Sequence, residues 1–186
     1  MSQRLREAFK AAPRERFLPG DQKSSASLDI PLPIGFGVTC SQPTTVANML
    51  SLLEVQPGQD VLDVGSGSGW TTALLAHLVG EEGSVTGVER ISELVARSSR
   101  ALSDVPNATI EQATDGIFGW PQNSPYDRIL VSAMADAVPT DLVDQLTLDG
   151  VMVVPVSGLM CKVVKSVDGS SEVSTHGWYS FVPLIP

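Results

Sequence analysis

The sequence predicts an α/β protein with a doubly wound, mostly parallel, Rossmann-like sheet that ends in an antiparallel hairpin. From residue 60 onward, short apolar runs alternate with helix-like segments, which is typical of parallel βαβ units. A glycine-rich turn, DVGSGSGW at 63–70, joins the first apolar run to the first helix of this region. After residue 157 the helices stop, and two β-like segments flank the turn DGSS, which indicates a hairpin.

The N-terminal part is predicted to contain two helices with an irregular segment between them. Residues 1–18 predict a short helix that ends at Pro19-Gly20, and residues 19–37, rich in Ser, Pro and Gly, predict a loop. A second helix is predicted from Pro43, because proline suits the first turn of a helix. Its apolar face has helical spacing and consists of Val46, Met49, Leu50 and Leu53.

The remaining elements are predicted from apolar periodicity. Strands are predicted at 60–65, 84–89, 108–113, 128–133 and 151–156. Helices are predicted at 71–79, 91–102 and 139–146, and the hairpin strands lie within 160–167 and 172–182. A chain of 186 residues suits one domain. We divide it into N-terminal helices with a substrate-side loop (1–58), an α/β core that binds the cofactor (59–156) and the hairpin (157–186).

Composition excludes several classes of protein. The net charge of −9 opposes binding to phosphate backbones, so we expect no nucleic-acid partner. The apolar runs are too short to cross a bilayer and the N-terminus lacks the apolar region of a secretory signal, so we expect no membrane association. Two distant cysteines, Cys40 and Cys161, and two histidines predict neither a disulfide framework nor a metal site. The default expectation is a monomer in the reducing cytoplasm.

The glycine-rich turn predicts a ligand site, because glycine allows close approach to the backbone and a helix N-terminus attracts polar groups. A dinucleotide fingerprint needs G-x-G-x-x-G. The glycines here are Gly65, Gly67 and Gly69, and Trp70 stands where the third dinucleotide glycine belongs. A P-loop needs a lysine after its last glycine, and there is none between residues 24 and 161. A tight turn without a ligand is the alternative interpretation.

An acidic residue ends the next predicted strand. Glu89 follows Gly65 by 24 residues, and a carboxylate there accepts hydrogen bonds from the ribose of an adenosine. Alone, it is also compatible with a solvated strand end. Together with the glycine spacing, it favours an adenosine cofactor without a pyrophosphate, S-adenosylmethionine. Asp115-Gly116 follows the next strand, where a polar side chain could reach the adenine amino group, although Asp-Gly is also a common turn.

Motifs along almost the whole chain resemble those of the protein-L-isoaspartate O-methyltransferase family. They follow the family's order: PRERFLP (13–19), PLPIGFGVTCSQPTTVANML (31–50), PGQDVLDVGSGSGWTTALLAHLVG (57–80), GVER (87–90), TDG (114–116), PYDRILVSA (125–133), VPTDLVDQL (138–146), DGVMVVPV (149–156) and FVPL (181–184). Many methyltransferases share the glycine loop, whereas segment 31–43 and the final FVPL are more specific. The resemblance implies a class I methyltransferase fold.

The resemblance also implies a reaction. The family transfers a methyl group from S-adenosylmethionine to the α-carboxylate of an isoaspartyl residue in a damaged protein or peptide, and S-adenosylhomocysteine remains. The ester then cyclises to a succinimide, which opens partly to normal aspartate. A carboxylate is ionised at neutral pH, so it needs alignment with the methyl group but no general base. This agrees with a sequence that offers no obvious histidine or lysine base.

Residue roles are carried over from matching positions. Ser41 matches the family's active-site serine, whose hydroxyl would orient the carboxylate, although a serine before Gln-Pro is also a typical helix N-cap. Thr39, Cys40 and Ser41 would contact the substrate, and Cys40 also suits a small core position. Asp63 would organise the loop and the amino end of the cofactor, or anchor the loop alone. The expected cofactor contacts are Val38, Thr39, Ser41, Asp63, Gly65, Ser66, Gly67, Ser68, Gly69, Glu89, Arg90, Asp115 and Gly116.

The segment near the expected substrate departs from the family pattern. VTCS at 38–41 differs from the usual residues before the serine, the residues at 44–46 are smaller than usual, and TDG replaces GDG. Four hypotheses therefore stay open: methylation of any isoaspartyl peptide, methylation of one dedicated peptide carboxylate, a nicotinamide oxidoreductase, and a non-catalytic cofactor-fold module. The first is preferred, and the glycine spacing with Trp70 weighs against the third.

Overall fold

Two β-sheets and five α-helices make up the fold in a computed structural model, which describes residues 1–186. A small hairpin comes first, with strands β1 (Leu32–Gly35) and β2 (Val38–Cys40). The main sheet contains β3 (Asp60–Val64), β4 (Ser84–Glu89), β5 (Ala108–Gln112), β6 (Tyr126–Val131), β7 (Leu146–Val156), β8 (Leu159–Lys165) and β9 (Ser171–Trp178). The helices are α1 (Gln3–Ala11), α2 (Pro43–Leu53), α3 (Trp70–Val79), α4 (Ser92–Ala101) and α5 (Thr140–Asp144). Short 3-10 helices lie at Arg14–Phe17, Gly20–Ser25 and Pro121–Asn123.

The main sheet has the strand order β5-β4-β3-β6-β7-β8-β9. Strands β3 to β7 run parallel to one another, while β8 pairs antiparallel with both β7 and β9. The chain moves outward from β3 to β5 and then crosses back to β6, so β3 and β6 flank a topological switch point. Open α/β sheets bind ligands in the crevice at the carboxyl ends of the strands that flank such a point. The predicted doubly wound sheet with its C-terminal hairpin is confirmed.

Both faces of the main sheet are buried, which explains the continuous apolar runs of its central strands. One face packs against α1 to α4 through residues that include Val61 and Val85. The other face packs against α5 through residues that include Leu62 and Ile129. Adjacent residues of a strand point to opposite faces, so each central strand serves two cores. None of the helices combines the length and the apolar character that crossing a bilayer requires.

The N-terminal helix is shorter than the predicted 1–18, and that prediction was wrong. The helix α1 begins after Ser2, whose hydroxyl accepts a hydrogen bond from the Leu5 N–H at 3.2 Å. It ends before Pro13, because proline disfavours helical backbone at the residue that precedes it. Ala12 accordingly has a φ of −115° and a ψ of 74°.

The segment 19–37, predicted as a loop, contains regular structure, so this prediction was also wrong. Its second half forms β1, which pairs antiparallel with β2 and places Leu32 opposite Cys40. Pro33 is tolerated because both strands of a two-stranded sheet are edge strands, which can spare an N–H group. The prolines and glycines concealed this strand in the sequence. The hairpin matters for the site because β2 leads directly to Ser41.

Two element bounds near the sheet's crossover also differ from the prediction. The helix predicted at 139–146 is limited to Thr140–Asp144. The strand predicted at 151–156 begins earlier, at Leu146, which pairs with Tyr126 of β6. This cross-strand pairing, which sequence periodicity does not reveal, extends β7 to eleven residues.

The last eight residues lie outside the hairpin that was predicted to span 157–186. After β9 the chain returns to the residues that follow β6. The Met134 N–H donates to the Val182 carbonyl, and the Leu184 N–H donates to the Met134 carbonyl, both at 2.7 Å. The Asn48 side-chain amide also donates to the Tyr179 hydroxyl at 3.1 Å. These bonds place the C-terminal tail beside the switch point.

Candidate functional site

A cavity of about 260 Å³ lies at the switch point. Its walls come from the β1–β2 hairpin, the residues that end β3 and β4, the loops after β5 and β6, and the C-terminal tail. Glu89 and Arg90 are the charged residues on these walls. Of the predicted cofactor contacts, six line this cavity: Val38, Thr39, Gly65, Gly67, Glu89 and Arg90.

The glycine loop has a backbone that only glycine adopts readily. Gly65, Gly67 and Gly69 have positive φ angles of 76°, 53° and 83°. The N–H groups of Gly65 and Ser66 both donate to the Val88 carbonyl, at 2.9 and 3.1 Å. These bonds anchor the loop to the carboxyl end of β4, which fixes it between two strands of the sheet.

Gly87, inside β4, allows the sheet and the loop to approach each other closely. A Cβ added there would lie 2.5 Å from Ile110 Cδ1, 3.0 Å from Thr72 Oγ1 and 3.1 Å from the Ser66 Cβ. Gly87 was not among the residues predicted for the site. A glycine inside a strand pattern is nevertheless a signal of close approach, and it would have identified Gly87.

Glu89 is 6% exposed at the end of β4 and organises both loops beside it. Its Oε2 accepts a hydrogen bond from the Gly67 N–H at 3.0 Å, and its Oε1 accepts one from the Ile91 N–H at 2.9 Å. Each carboxylate oxygen has a second lone pair. The side chain can therefore accept two further hydrogen bonds from a ligand in the cavity, which suits a vicinal diol.

Asp63 is fully buried and does not line the cavity. Its Oδ2 accepts hydrogen bonds from the Thr71 and Thr72 hydroxyls, both at 2.7 Å, so it anchors the start of α3. Burial raises the pKa of Asp63 to about 6, the two threonine bonds oppose this rise, and the Glu89 charge adds to it. The Asp63 Oδ1 and the Ser66 hydroxyl are buried without a partner. Ser66 also lines a small cavity beside the loop, so its hydroxyl suits a polar group of a ligand.

Ser41 lines two further cavities that adjoin the first. One is small and also lined by Ser66 and Ser68 of the glycine loop. The other, of about 310 Å³, is also lined by Gln42 and by residues of the C-terminal tail. Thr39 and Ser132 line all three cavities and form their common wall.

The alternative role of Ser41 as a helix N-cap is not what the structure shows. Gln42 is the N-cap residue of α2, and its side chain makes no capping bond. Asp29, from the preceding loop, accepts hydrogen bonds from the Thr44 N–H at 2.8 Å and the Thr44 hydroxyl at 2.7 Å. These bonds hold the pKa of Asp29 below its usual value. Asp29 therefore takes over the capping, and the Ser41 side chain is not needed for it.

The other predicted residues lie in different surroundings. Cys40 is 4% exposed and packs in the core, although it also lines the small cavity beside Ser41. Gly69 is buried, and a Cβ there would meet the Ser98 Cβ at 3.0 Å. Asp115 and Gly116 are exposed and line none of the three cavities. The structure thus brings the hairpin, the glycine loop and the end of β4 together, but not the Asp-Gly turn.

Sequence reasoning missed Ser132 and the C-terminal tail. Ser132 directly follows β6, and its N–H donates to the Val64 carbonyl at 2.8 Å. Its position after a buried strand at the switch point is a signal that could have identified it. Residues 182–185 also line the first cavity. No local pattern points to them, because they reach the site through long-range pairing with Met134.

The three cavities contain few groups that move protons. Glu89 is the one carboxylate on their walls, and both of its oxygens already accept a backbone N–H. No histidine or lysine lines them, whereas hydroxyls come from Thr39, Ser41 and Ser132 among others. This arrangement suits a nucleophile that is already ionised and that hydroxyl groups orient.

Comparison with known proteins shows which family the chain belongs to. The family model of protein-L-isoaspartate(D-aspartate) O-methyltransferase matches residues 1–186. The chain belongs to this family. The protein-L-isoaspartate O-methyltransferase of Methanococcoides burtonii is 43% identical over 188 residues, which cover 98% of this chain and 92% of the relative. The predicted family membership is confirmed.

Solved structures of the protein-L-isoaspartate O-methyltransferase family share the fold. One such structure has a TM-score of 0.87 and 28% identity, and the match covers 98% of this chain and 61% of that chain. A β-aspartate methyltransferase from Plasmodium falciparum, in complex with S-adenosyl-L-homocysteine, has a TM-score of 0.85 and 23% identity. That match covers 98% of this chain and 90% of that chain. The class I methyltransferase fold is therefore confirmed.

Proposed function

We propose that this protein transfers the methyl group of S-adenosylmethionine to the α-carboxylate of L-isoaspartyl residues in damaged proteins and peptides. The observation that carries the proposal is that Thr39 and Ser132 line all three cavities, so the cavity of Glu89 adjoins the cavities of Ser41 at these two residues. A cofactor in the first cavity and a methyl acceptor beside Ser41 can therefore meet. Family membership favours this function over a nicotinamide oxidoreductase or a non-catalytic module.

The first cavity fits S-adenosylmethionine. The Glu89 carboxylate is placed to accept hydrogen bonds from the ribose hydroxyls, and Ile117 and Phe118 offer apolar surface for the adenine. The glycine loop and the N-terminus of α3 suit the carboxylate of the cofactor's amino-acid end. When bound, S-adenosylmethionine supplies a methyl group on a sulfonium centre. The proposed contacts are Val38, Thr39, Gly65, Ser66, Gly67, Ser68, Glu89 and Arg90, with Asp63 supporting the loop.

Ser41 is proposed to orient the acceptor carboxylate through a hydrogen bond from its hydroxyl. The carboxylate is ionised at neutral pH, because its ordinary pKa lies near 4. One of its oxygens forms the new bond to the methyl carbon as the bond from sulfur to that carbon breaks, and the bonding electron pair remains on sulfur. No proton is transferred, which agrees with the lack of a base on the walls. The site contributes alignment and the removal of water from the carboxylate.

A pair of peptides tests this function. The protein is incubated with methyl-labelled S-adenosylmethionine and two peptides that differ only in isoaspartate versus aspartate at one position. Base-labile label is expected on the isoaspartyl peptide alone. Label on neither peptide, together with calorimetric binding of S-adenosylhomocysteine, would contradict isoaspartyl repair and favour the methylation of one dedicated peptide carboxylate.

We also propose that residues 1–186 form a single domain that works as a monomer in the cytoplasm, without metal, membrane or nucleic-acid partners. The net charge of −9 supports the absence of a nucleic-acid partner. The free cysteines Cys40 and Cys161 suit a reducing compartment. Light scattering coupled to size-exclusion chromatography tests the monomer, for which a mass of 19.7 kDa is expected.

A further inference from the structure

Arg14 is a buried cation that the proposed mechanism does not yet use. It is 6% exposed. Its guanidinium donates to the carbonyls of Leu28 at 3.1 Å and Ile30 at 2.8 Å, and to those of Cys40 and Ser41, both at 2.9 Å. These four bonds connect the loop before β1 to the segment that carries the active-site serine.

No carboxylate of the chain forms a salt bridge with Arg14, since the two salt bridges involve Arg16 and Lys162. Its charge is balanced by carbonyl dipoles and by the Trp70 ring, whose centroid lies 5.3 Å from the guanidinium carbon. Burial of a charge without a counter-ion is expensive. Asp29 is near enough for its charge to interact with that of Arg14, but no carboxylate forms a salt bridge with the guanidinium where it meets the backbone beside Ser41.

The bonds to Arg14 fix the direction of two neighbouring N–H groups. The Cys40 carbonyl and the Ser41 N–H belong to one planar trans peptide, so the N–H points away from the guanidinium. The same holds for the Ser41 carbonyl and the Gln42 N–H. Neither N–H donates to an acceptor within the chain. Ser41 and Gln42 both line the cavity of about 310 Å³.

We propose that Arg14 is a positioning residue that turns the Ser41 and Gln42 N–H groups toward the carboxylate of the isoaspartyl substrate. The inference rests on the proposed function of this site. The two N–H groups and the Ser41 hydroxyl hold one carboxylate oxygen and leave the other free to attack the methyl group. The positive charge of Arg14 behind the two peptides favours an anion in front of them.

This role predicts an effect mainly on KM. The carboxylate carries its full charge before transfer and loses it as the ester forms, so hydrogen bonds to it stabilise the bound substrate more than the transition state. A hydrogen bond to a charged group contributes enough to change binding by roughly 10-fold to 100-fold. The loss of one N–H donor is therefore expected to raise KM within that range and to change kcat less.

The pair of variants Gln42→Pro and Gln42→Ala tests the Gln42 N–H, one of the two backbone N–H groups proposed to bind the carboxylate. Gln42 has a φ of −58° and a ψ of 131°, which lie within the range of proline. Both variants lose the side-chain bond to Asp29, but only proline also lacks the N–H. We expect a KM for the isoaspartyl peptide about 10-fold higher in Gln42→Pro than in Gln42→Ala, with equal affinity for S-adenosylhomocysteine. Equal KM values in the two variants would overturn the proposal.

A second set of variants tests Arg14 itself. The Arg14→Lys substitution keeps the charge but cannot bond four carbonyls, so KM should rise about 10-fold. That rise should be smaller in a Gln42→Pro background, because one of the two N–H groups that Arg14 positions is absent there. The control is Arg4→Lys, since Arg4 also donates to backbone carbonyls, those of Val55 and Leu78, but touches no wall of the site. It should lower the melting temperature and leave KM unchanged.

Additive effects of Arg14→Lys and Gln42→Pro on KM would overturn the positioning role. If Arg14→Lys does not fold, the comparison of Gln42→Pro with Gln42→Ala decides the question alone. The failure of the proposed function is seen separately, in the wild type. Wild-type protein that does not distinguish isoaspartyl from aspartyl peptide would remove that function, and this inference with it.

Discussion

Glu89 and the glycine loop lie at the carboxyl ends of β4 and β3, inside the parallel sheet, whereas Thr39 and Ser41 lie on and beside a two-stranded hairpin outside it. Glu89 is 6% exposed and bonded to backbone N–H groups on both sides. Thr39 is exposed, and the hairpin tip carries Phe36 with 56% exposure. We refer to these two regions as the donor side and the acceptor side.

The two sides are held in place by different interactions. The donor side is fixed by the ladder of the sheet, which any protein with this fold shares. The acceptor side depends on a few specific contacts, chiefly those of Arg14 and Asp29 with the backbone of segment 40–44. Substitutions on the donor side should change cofactor affinity, and those on the acceptor side should change kcat/KM for the isoaspartyl peptide.

The largest effect is expected for Glu89→Ala on the donor side. It removes the proposed acceptor of two ribose hydroxyls and also releases the Gly67 and Ile91 N–H groups. We expect the affinity for S-adenosylhomocysteine, measured by isothermal titration calorimetry, to fall about 100-fold or more. Glu111→Ala, on the neighbouring strand and outside the cavity, is the matched control and should leave the affinity unchanged. An unchanged affinity in Glu89→Ala would remove Glu89 from the cofactor site.

A smaller effect, on the reaction with the peptide and not on cofactor affinity, is expected for Ser41→Ala on the acceptor side. The loss of one hydroxyl that orients the carboxylate should lower kcat/KM for an isoaspartyl peptide by roughly tenfold to a hundredfold. The affinity for S-adenosylhomocysteine should change less than about threefold. Ser51→Ala, on the exposed side of α2, serves as the control. A Ser41→Ala variant that lost cofactor affinity and kept its kcat/KM for the isoaspartyl peptide would contradict the division into two sides.

The smallest effect on function is expected for Asp63→Asn, which instead changes how stability depends on pH. Burial raises the pKa of Asp63 in the folded protein from 3.8 to about 6. Between pH 4 and 6 the folded protein holds a proton that the unfolded chain has released, so the unfolding free energy falls as pH rises through this window. Urea unfolding at several pH values should show this fall in the wild type, and the asparagine variant should lack it.

Asp168 provides the contrast for that measurement. Hydrogen bonds from Ser170 lower the pKa of Asp168, so its contribution is present above pH 4 and is lost only as pH falls further. The substitution Asp168→Asn should leave the pH dependence between 4 and 6 as in the wild type. Identical pH profiles for wild type and Asp63→Asn would show that the Asp63 carboxyl titrates normally.

The donor side could be predicted from the sequence because its signals are local. The glycine spacing and an acid at the end of the next strand lie within a single βαβ unit, and strand geometry brings them together. Glu89 and Gly67 are accordingly bonded to each other. Asp115 shows the limit of such reasoning, since the chain turns after β5 in a way that leaves its side chain exposed.

The acceptor side could be predicted only in part, because it is assembled by long-range contacts. Ser41 came from a family resemblance, and β1 was hidden by Pro33 and the glycines near it. Arg14 finds its acceptors 14 to 27 residues away. The tail reaches the site through Met134, and Val182 forms part of the walls of both sides. Neither periodicity nor residue spacing contains information about such pairings.

The position of the transferred methyl group is the direct test of methyl transfer to the isoaspartyl α-carboxylate. An isoaspartyl peptide is incubated with the protein and S-adenosylmethionine, and the product is examined by tandem mass spectrometry before and after mild base. We expect one methyl group on the α-carboxylate of the isoaspartyl residue, which base removes to leave succinimide, aspartate and isoaspartate. A methyl group on any other atom of the peptide, or one that survives base, would contradict this expectation.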